Sequence, residues 1–171
     1  MTIETRMKII LDDLGFDFSQ FTMDSFVDWI EKNRGRKISF IPWEMPPGMF
    51  GAWMSDADEP VEHVFIDKNV PSMHQVHIQL HEVSHIICEH PTARLSKDEM
   101  RGLLLKALDE PGVLNEALLR APAKKELEEE AEIMAALIQH QVIKHQRLQQ
   151  LGVAASSNEN VIDHLQSLGL V

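Results

Sequence analysis

This chain contains no tyrosine, a single cysteine, and far fewer basic than acidic residues. Each shortage excludes something. Without a phenol hydroxyl, any developing oxyanion must be met by a histidine or an arginine, or by nothing. One cysteine, Cys88, rules out an internal disulfide, and its place beside Ile86 and Ile87 reads as core packing. Sixteen Lys and Arg against 27 Asp and Glu leave a net charge of −11. That field repels phosphates, and only the short Lys32–Arg34–Arg36–Lys37 patch opposes it, so direct nucleic-acid binding is not expected. No apolar run approaches the length of a membrane span. The opening MTIETRMKIILDDLG carries no signal-peptide cleavage pattern, which makes a cytoplasmic location the default expectation.

What is present suits one soluble domain over residues 1–171, with 44% apolar and 25% charged residues. Residues 3–13 and 22–33 read as helices, the second capped by Thr22 or Asp24, closed by Gly35, and packing Phe26, Trp29 and Ile30 on one face. Lys37–Trp43 alternates as a strand should, and Pro46, Pro47 and Gly48 make a turn. Phe50–Met54 and His63–Ile66 are two further strands joined by a polar loop. Ser96 and Glu99 form a capping box for a helix over about 97–108, which Pro111 and Gly112 break, and a short helix over Leu114–Leu119 follows. A long helix opens at Pro122 and runs to about residue 150, with Leu127, Met134, Leu137, Ile138 and Val142 as core candidates. Residues 153–171 hold a short linker and a last helix over Val161–Leu168. The expected fold is α+β: a small, mostly antiparallel sheet packed on one central helix, followed by a helical C-terminal half.

That central helix carries the most informative segment, HEVSH at residues 81–85. Asn69 is the expected N-cap, Pro71 suits a first turn, Pro91 ends the pattern, and Val76, Leu80, Val83 and Ile87 make an apolar stripe. On a helix over about 71–90, His81 and His85 lie one turn apart on one face, close enough to hold one Zn²⁺ together. Glu82 points to the side of that pair, where it can take a proton from water at the metal. His74 and His77 extend the same broad face upstream, as cleft-lining or as solvated side chains.

A catalytic zinc site needs a third protein ligand. His90 lies five residues after His85, where the count does not fit a three-histidine motif; it reads as a helix C-terminal residue or as a contact in a second layer. The run KKELEEEAEIMAALI, residues 124–138, offers Glu126, Glu128, Glu129, Glu130 and Glu132. Leu127, Ala131, Met134, Ala135 and Ile138 define its buried side, with Glu128 on the border, and Ala131, Ala135 and Ala136 allow close helix approach. Taken alone, such a run is a solvated acidic face.

HEVSHIICEH followed some forty residues later by ELEEEAEIMAALI resembles the ImmA/IrrE family of metallopeptidases. The resemblance extends over about residues 22–142, including the lead-in GAWMSDADEPVEHVFIDKNVPSMHQVHIQLHE. It implies a zincin-like fold, His81 and His85 as metal ligands, Glu82 as the catalytic glutamate, and Glu128 as the third ligand. Glu132, one turn after Glu128, matches a position that orients a ligand histidine, and Glu129 and Glu130 leave the register open. The family's usual ending after the alanines is absent, since Gln139 and His140 follow Leu137 and Ile138. The implied cofactor is Zn²⁺, with Mn²⁺ or another divalent ion as alternatives. The implied substrate is a regulatory protein: a DNA-binding helix-turn-helix repressor or antitoxin-like partner, of the kind encoded by phages, mobile elements or stress systems. The competing reading is a metal-holding module that sequesters such a regulator without cutting it.

Two further assignments come from the residues themselves. Phe50, Gly51, Ala52 and Trp53 are the expected edge against which an extended substrate adds a strand, Gly51 allowing close backbone approach and Trp53 serving there or in the core. His140 is one candidate oxyanion donor, against a plain surface role. The oligomeric state has no signature in the sequence.

Overall fold

Thr2, Thr22 and Ser96 each precede a helix, and their hydroxyls accept the backbone N–H groups of Thr5, Ser25 and Glu99. Those bonds satisfy donors that a helix start otherwise leaves bare. They open α1 (Ile3–Leu14), α2 (Met23–Arg34) and α4 (Lys97–Asp109) in the computed structural model of the chain. The structure describes residues 1–119 and 125–151, together with Gln166 and Gly169. The expected opening at Pro122 lies outside these residues, as do the expected linker and helix over 153–171, Gln166 and Gly169 apart.

Strands β1 (Lys37–Trp43), β2 (Gly51–Asp56), β3 (Val61–Asp67) and β4 (Ala93–Leu95) form one sheet in the order β1-β3-β2-β4. The β2–β3 pairing is antiparallel, whereas β1–β3 and β2–β4 are parallel. The sheet is therefore mixed, not mostly antiparallel as expected. The reason is topological: β2 turns back beyond β3 instead of pairing with β1, and β4 returns from the central helix in the direction of β2. Strand β4 itself, three residues long, had no legible signal.

The central helix α3 (Ser72–Ile87) follows β3, and α5 (Gly112–Leu119) and α6 (Lys125–Gln150) complete the order. Two expectations about α3 are corrected. Pro71, not Asn69, occupies its N-cap position and makes no side-chain cap bond; the Asn69 N–H is instead turned onto the Asp67 carboxylate. Val76 is exposed, so the buried stripe starts at Leu80. The helix also ends earlier than expected. Glu89 adopts a left-handed φ of 57°, the His90 N–H reaches the His85 carbonyl, and the Glu89 N–H reaches that of Ile86. This is the Schellman closure usually given to glycine.

Alternation along the strands sends side chains into two cores. Val64, Ile66 and Ile38 join Met7, Phe26, Ile30, Leu80, Val83, Met134 and Ile138 on the face covered by α1, α2, α3 and α6. Ala52, Met54 and Phe65 join Met100, Ala107 and Leu114 on the face covered by α4 and α5. Ala131 and Ala135 are fully buried, which lets α6 lie close against the first core. Of the long-helix core candidates, Met134 and Ile138 are buried, while Leu127, Leu137 and Val142 are half-buried. Trp29 is more exposed than its neighbours Phe26 and Ile30 and donates its indole N–H to the Leu14 carbonyl. Cys88 packs its sulfur against Met7, and burial pushes its thiol up to about 11, as a packing residue requires. No described helix is long and apolar enough to cross a membrane.

Candidate metal centre

Helical spacing alone brings His81 and His85 together, and their Nε2 atoms are 3.2 Å apart. The third vertex comes from α6. One Glu128 oxygen lies 3.3 Å from His81 Nε2 and the other 3.6 Å from His85 Nε2. One ligand atom from each of the three side chains falls within 4.8 Å of the others. A tetrahedral zinc with bonds of about 2.0–2.2 Å spaces its ligand atoms roughly 3.3–3.6 Å apart. These separations are of that order, though they run to the two different oxygens of Glu128, and the donor set of two imidazoles and a carboxylate suits zinc, so these residues fit the group.

The outer nitrogens of both imidazoles are engaged. His81 Nδ1 lies 3.2 Å from Glu132 Oε2. His85 Nδ1 lies 2.8 Å from His90 Nδ1, and His90 Nε2 lies 3.1 Å from Glu130 Oε2. Arg6 of α1 donates to the other Glu130 oxygen. Trp53 stacks on His85 with ring centroids 6.4 Å apart and donates its own N–H to Glu62. His77 accepts at Nδ1 from Gln139 (3.1 Å), which leaves the proton on Nε2, 3.6 Å from Glu132 Oε1.

Glu82 is buried beside the ligands, and Gly51 of β2 is its close neighbour. A Cβ placed on Gly51 would stand 2.7 Å from Glu82 Oε1 and 2.6 Å from Ile78 Cγ2, so only glycine fits. Burial raises the Glu82 carboxyl to about 7, against the opposing pull of His85 and His81. Burial lowers the His81 pKa, but hydrogen bonding to Glu128 and the charges of Glu82 and Glu128 outweigh it and leave it raised. Glu128 is held well below the usual carboxylate range by hydrogen bonds from His81 and His85. Burial lowers His90, with Glu130 pulling the other way.

A cleft of about 310 Å³ opens onto this group, lined by Met49, Phe50, Gly51, His77, Glu82 and Glu128 among others. Its β2 wall is a strand edge over only half its length. Strand β4 covers Met54–Asp56 and leaves Gly51–Trp53 without a neighbouring strand on that side among the described residues. There the Trp53 carbonyl accepts from Thr92 Oγ1 at 2.7 Å.

The structure thus brings together His81, Glu82, His85 and Glu128, with Glu132 and His90 behind them. It does not bring in His140, which is exposed on α6 and does not line the cleft. Ala52 turns to the opposite core, so of the expected edge only Phe50, Gly51 and Trp53 face this side. His74 is exposed, whereas His77 lines the cleft. The open register of the acidic run resolves into Glu128 at the imidazoles, Glu130 buried at His90, and Glu126 and Glu129 exposed. The sequence reading named Glu130 only as an alternative in the register, without its place at His90, and missed Arg6 altogether. The spacing of Leu127, Ala131 and Met134 did bracket position 130 as inward-facing, but nothing marked Arg6.

Comparison with models of known families, with curated proteins and with solved structures finds no match to this chain.

Proposed function

We propose that this chain is a zinc-dependent endopeptidase of the ImmA/IrrE kind, zincin-like in its active site, that cuts a regulatory protein in the cytoplasm. The observation that carries the reading is the group of His81, His85 and Glu128, drawn from two separate helices with one ligand atom of each within 4.8 Å of the others, and Glu82 buried on its flank. The substrate class, a helix-turn-helix repressor or an antitoxin-like partner, rests on the sequence resemblance.

Zinc, when bound, supplies Lewis acidity toward a peptide carbonyl and acidifies water. Glu82, whose carboxyl is pushed to about 7, takes the proton of the attacking water and returns it to the departing amine. Gly51–Trp53 offers main-chain groups along which an extended substrate segment adds as a strand, beside Glu82. His77, oriented by Gln139, presents an N–H in the cleft and takes the oxyanion-donor role expected of a histidine in a chain without tyrosine. Glu132 accepts from His81 Nδ1 and would hold the ring in the tautomer that presents Nε2 to zinc when the ion is bound.

The test is co-incubation of the zinc-loaded protein with a repressor encoded beside it, read by mass spectrometry. Cleavage is expected with the native chain and absent with Glu82→Gln, which keeps its zinc. A repressor that binds but stays intact would replace the peptidase reading with that of a sequestering module.

A further inference from the structure

Resting on the metal-centre reading above, we infer that Arg6, Glu130 and His90 form a positioning chain that sets the tautomer of His85 and ties the docking of α1 to metal binding. The argument is one of donors and acceptors. A histidine that offers Nε2 to an ion must carry its proton on Nδ1. Among the described residues, the partner of that proton on His85 is His90 Nδ1, at 2.8 Å. A neutral His90 that accepts at Nδ1 must carry its proton on Nε2, and Nε2 faces Glu130 at 3.1 Å. Glu130 accepts it on Oε2, and Arg6 donates to the other Glu130 oxygen and holds the side chain in place. Donation therefore runs in one direction, from His85 to His90 to Glu130. The reverse tautomers would aim the His90 Nε2 lone pair at a carboxylate, which repels it. An arginine on the first helix thereby decides which nitrogen of His85 is free, two side chains away.

The chain is built rather than incidental. The His90 and Glu130 side chains are only 4% and 9% exposed. His90 reaches its place through the left-handed Glu89, a conformation that a non-glycine residue adopts at a cost. Arg34 braces that turn by donating to the Ile87 carbonyl and to Glu89. The His81 branch differs: its support, Glu132, is a 57%-exposed side chain on the cleft rim. His85 is thus the rigid ligand, anchored through the core to α1, and His81 the adaptable one.

The experiment measures zinc affinity by competition with a chromophoric chelator, with the visible spectrum of the cobalt-loaded protein as a second readout. Glu130→Gln and Arg6→Met are expected to fold and to bind zinc about 10–100-fold more weakly, the range for losing a ligand's outer partner, with an altered cobalt spectrum. Arg6→Lys is expected to recover part of the loss. Glu31→Gln breaks a comparably buried carboxylate paired with Lys37, remote from the site. It is expected to lower stability without changing zinc affinity. Arg6 is partly exposed, so Arg6→Met decides the matter if Glu130→Gln does not fold. Native-like zinc affinity and cobalt spectrum in the folded variants would overturn this inference alone. Failure of the native chain to bind zinc would overturn both it and the metal-centre reading.

Discussion

Around Asp56 and Glu62, the carboxylate oxygens meet N–H and O–H groups of the protein; around Glu128, the polar atoms of three side chains meet one another. Asp56 accepts the backbone N–H groups of Asp58 and Glu59 on one oxygen and His63 on the other. Glu62 accepts from Arg36, Trp53 and Ser55. Both acids are buried at the turn end of the β2–β3 hairpin, and donors from the chain satisfy them. Glu128, by contrast, is half in solvent, with His81 Nε2 and His85 Nε2 as its partners. Those two nitrogens and the carboxylate converge on one point between the helices, and the proposed metal centre rests on that convergence. Two clusters of similar composition therefore differ in kind. The hairpin cluster is closed by the fold, and the interhelical one, on the proposed reading, is completed by an ion.

The largest effect expected from breaking this contrast is on metal content. His85→Ala or Glu128→Ala should lose zinc by more than the roughly 10–100-fold of an outer-partner change, measured on dialysed protein, whereas Asp56→Asn should keep native stoichiometry. Next comes Gly51→Ala, whose methyl would collide with Ile78 and Glu82. Overpacking of this sort costs about 1–3 kcal/mol; denaturant melts should register it, and hydrolysis should fall while zinc is retained.

A smaller and pH-dependent effect comes from Asp56. Backbone N–H groups of Glu59 and Asp58, then His63, lower its pKa from an ordinary 3.8 to about 2. A carboxyl depressed by folding stabilises the native state above its unfolded pKa. That contribution should fade as pH falls from about 4 through 2, and Asp56→Asn should flatten this limb in urea melts taken across the window. The smallest effect is expected at His140, where replacement by alanine should leave zinc affinity unchanged and stability within about 0.5 kcal/mol. A loss of zinc there would mean that the cleft extends along α6.

Legibility followed the range of the interaction. The caps at Thr22 and Ser96, the Gly35 stop and the bounds of β1 were readable because each depends on residues a few positions apart. The His81–His85 pair was readable for the same reason. Asn69 misled because its backbone N–H serves an Asp67 turn, leaving Pro71 to open α3. The direction of the β1–β3 pairing escaped because alternation says which face a residue takes and not which strand lies beside it. Glu130 escaped because an acidic residue in an acidic run looks solvated until its pairing with Arg6 and His90 is known.

The amino-acid order alone determined that two imidazoles would share one helical face with a glutamate beside them, since a turn of helix is a local, covalently dictated distance. Which of five downstream carboxylates would meet them, which histidine would lie behind His85, and which half of β2 would stay open were decided only by the packing of α6 and α1 against α3. Those choices depend on the rotation of one helix against another, which the buried alanines and the surrounding core set collectively.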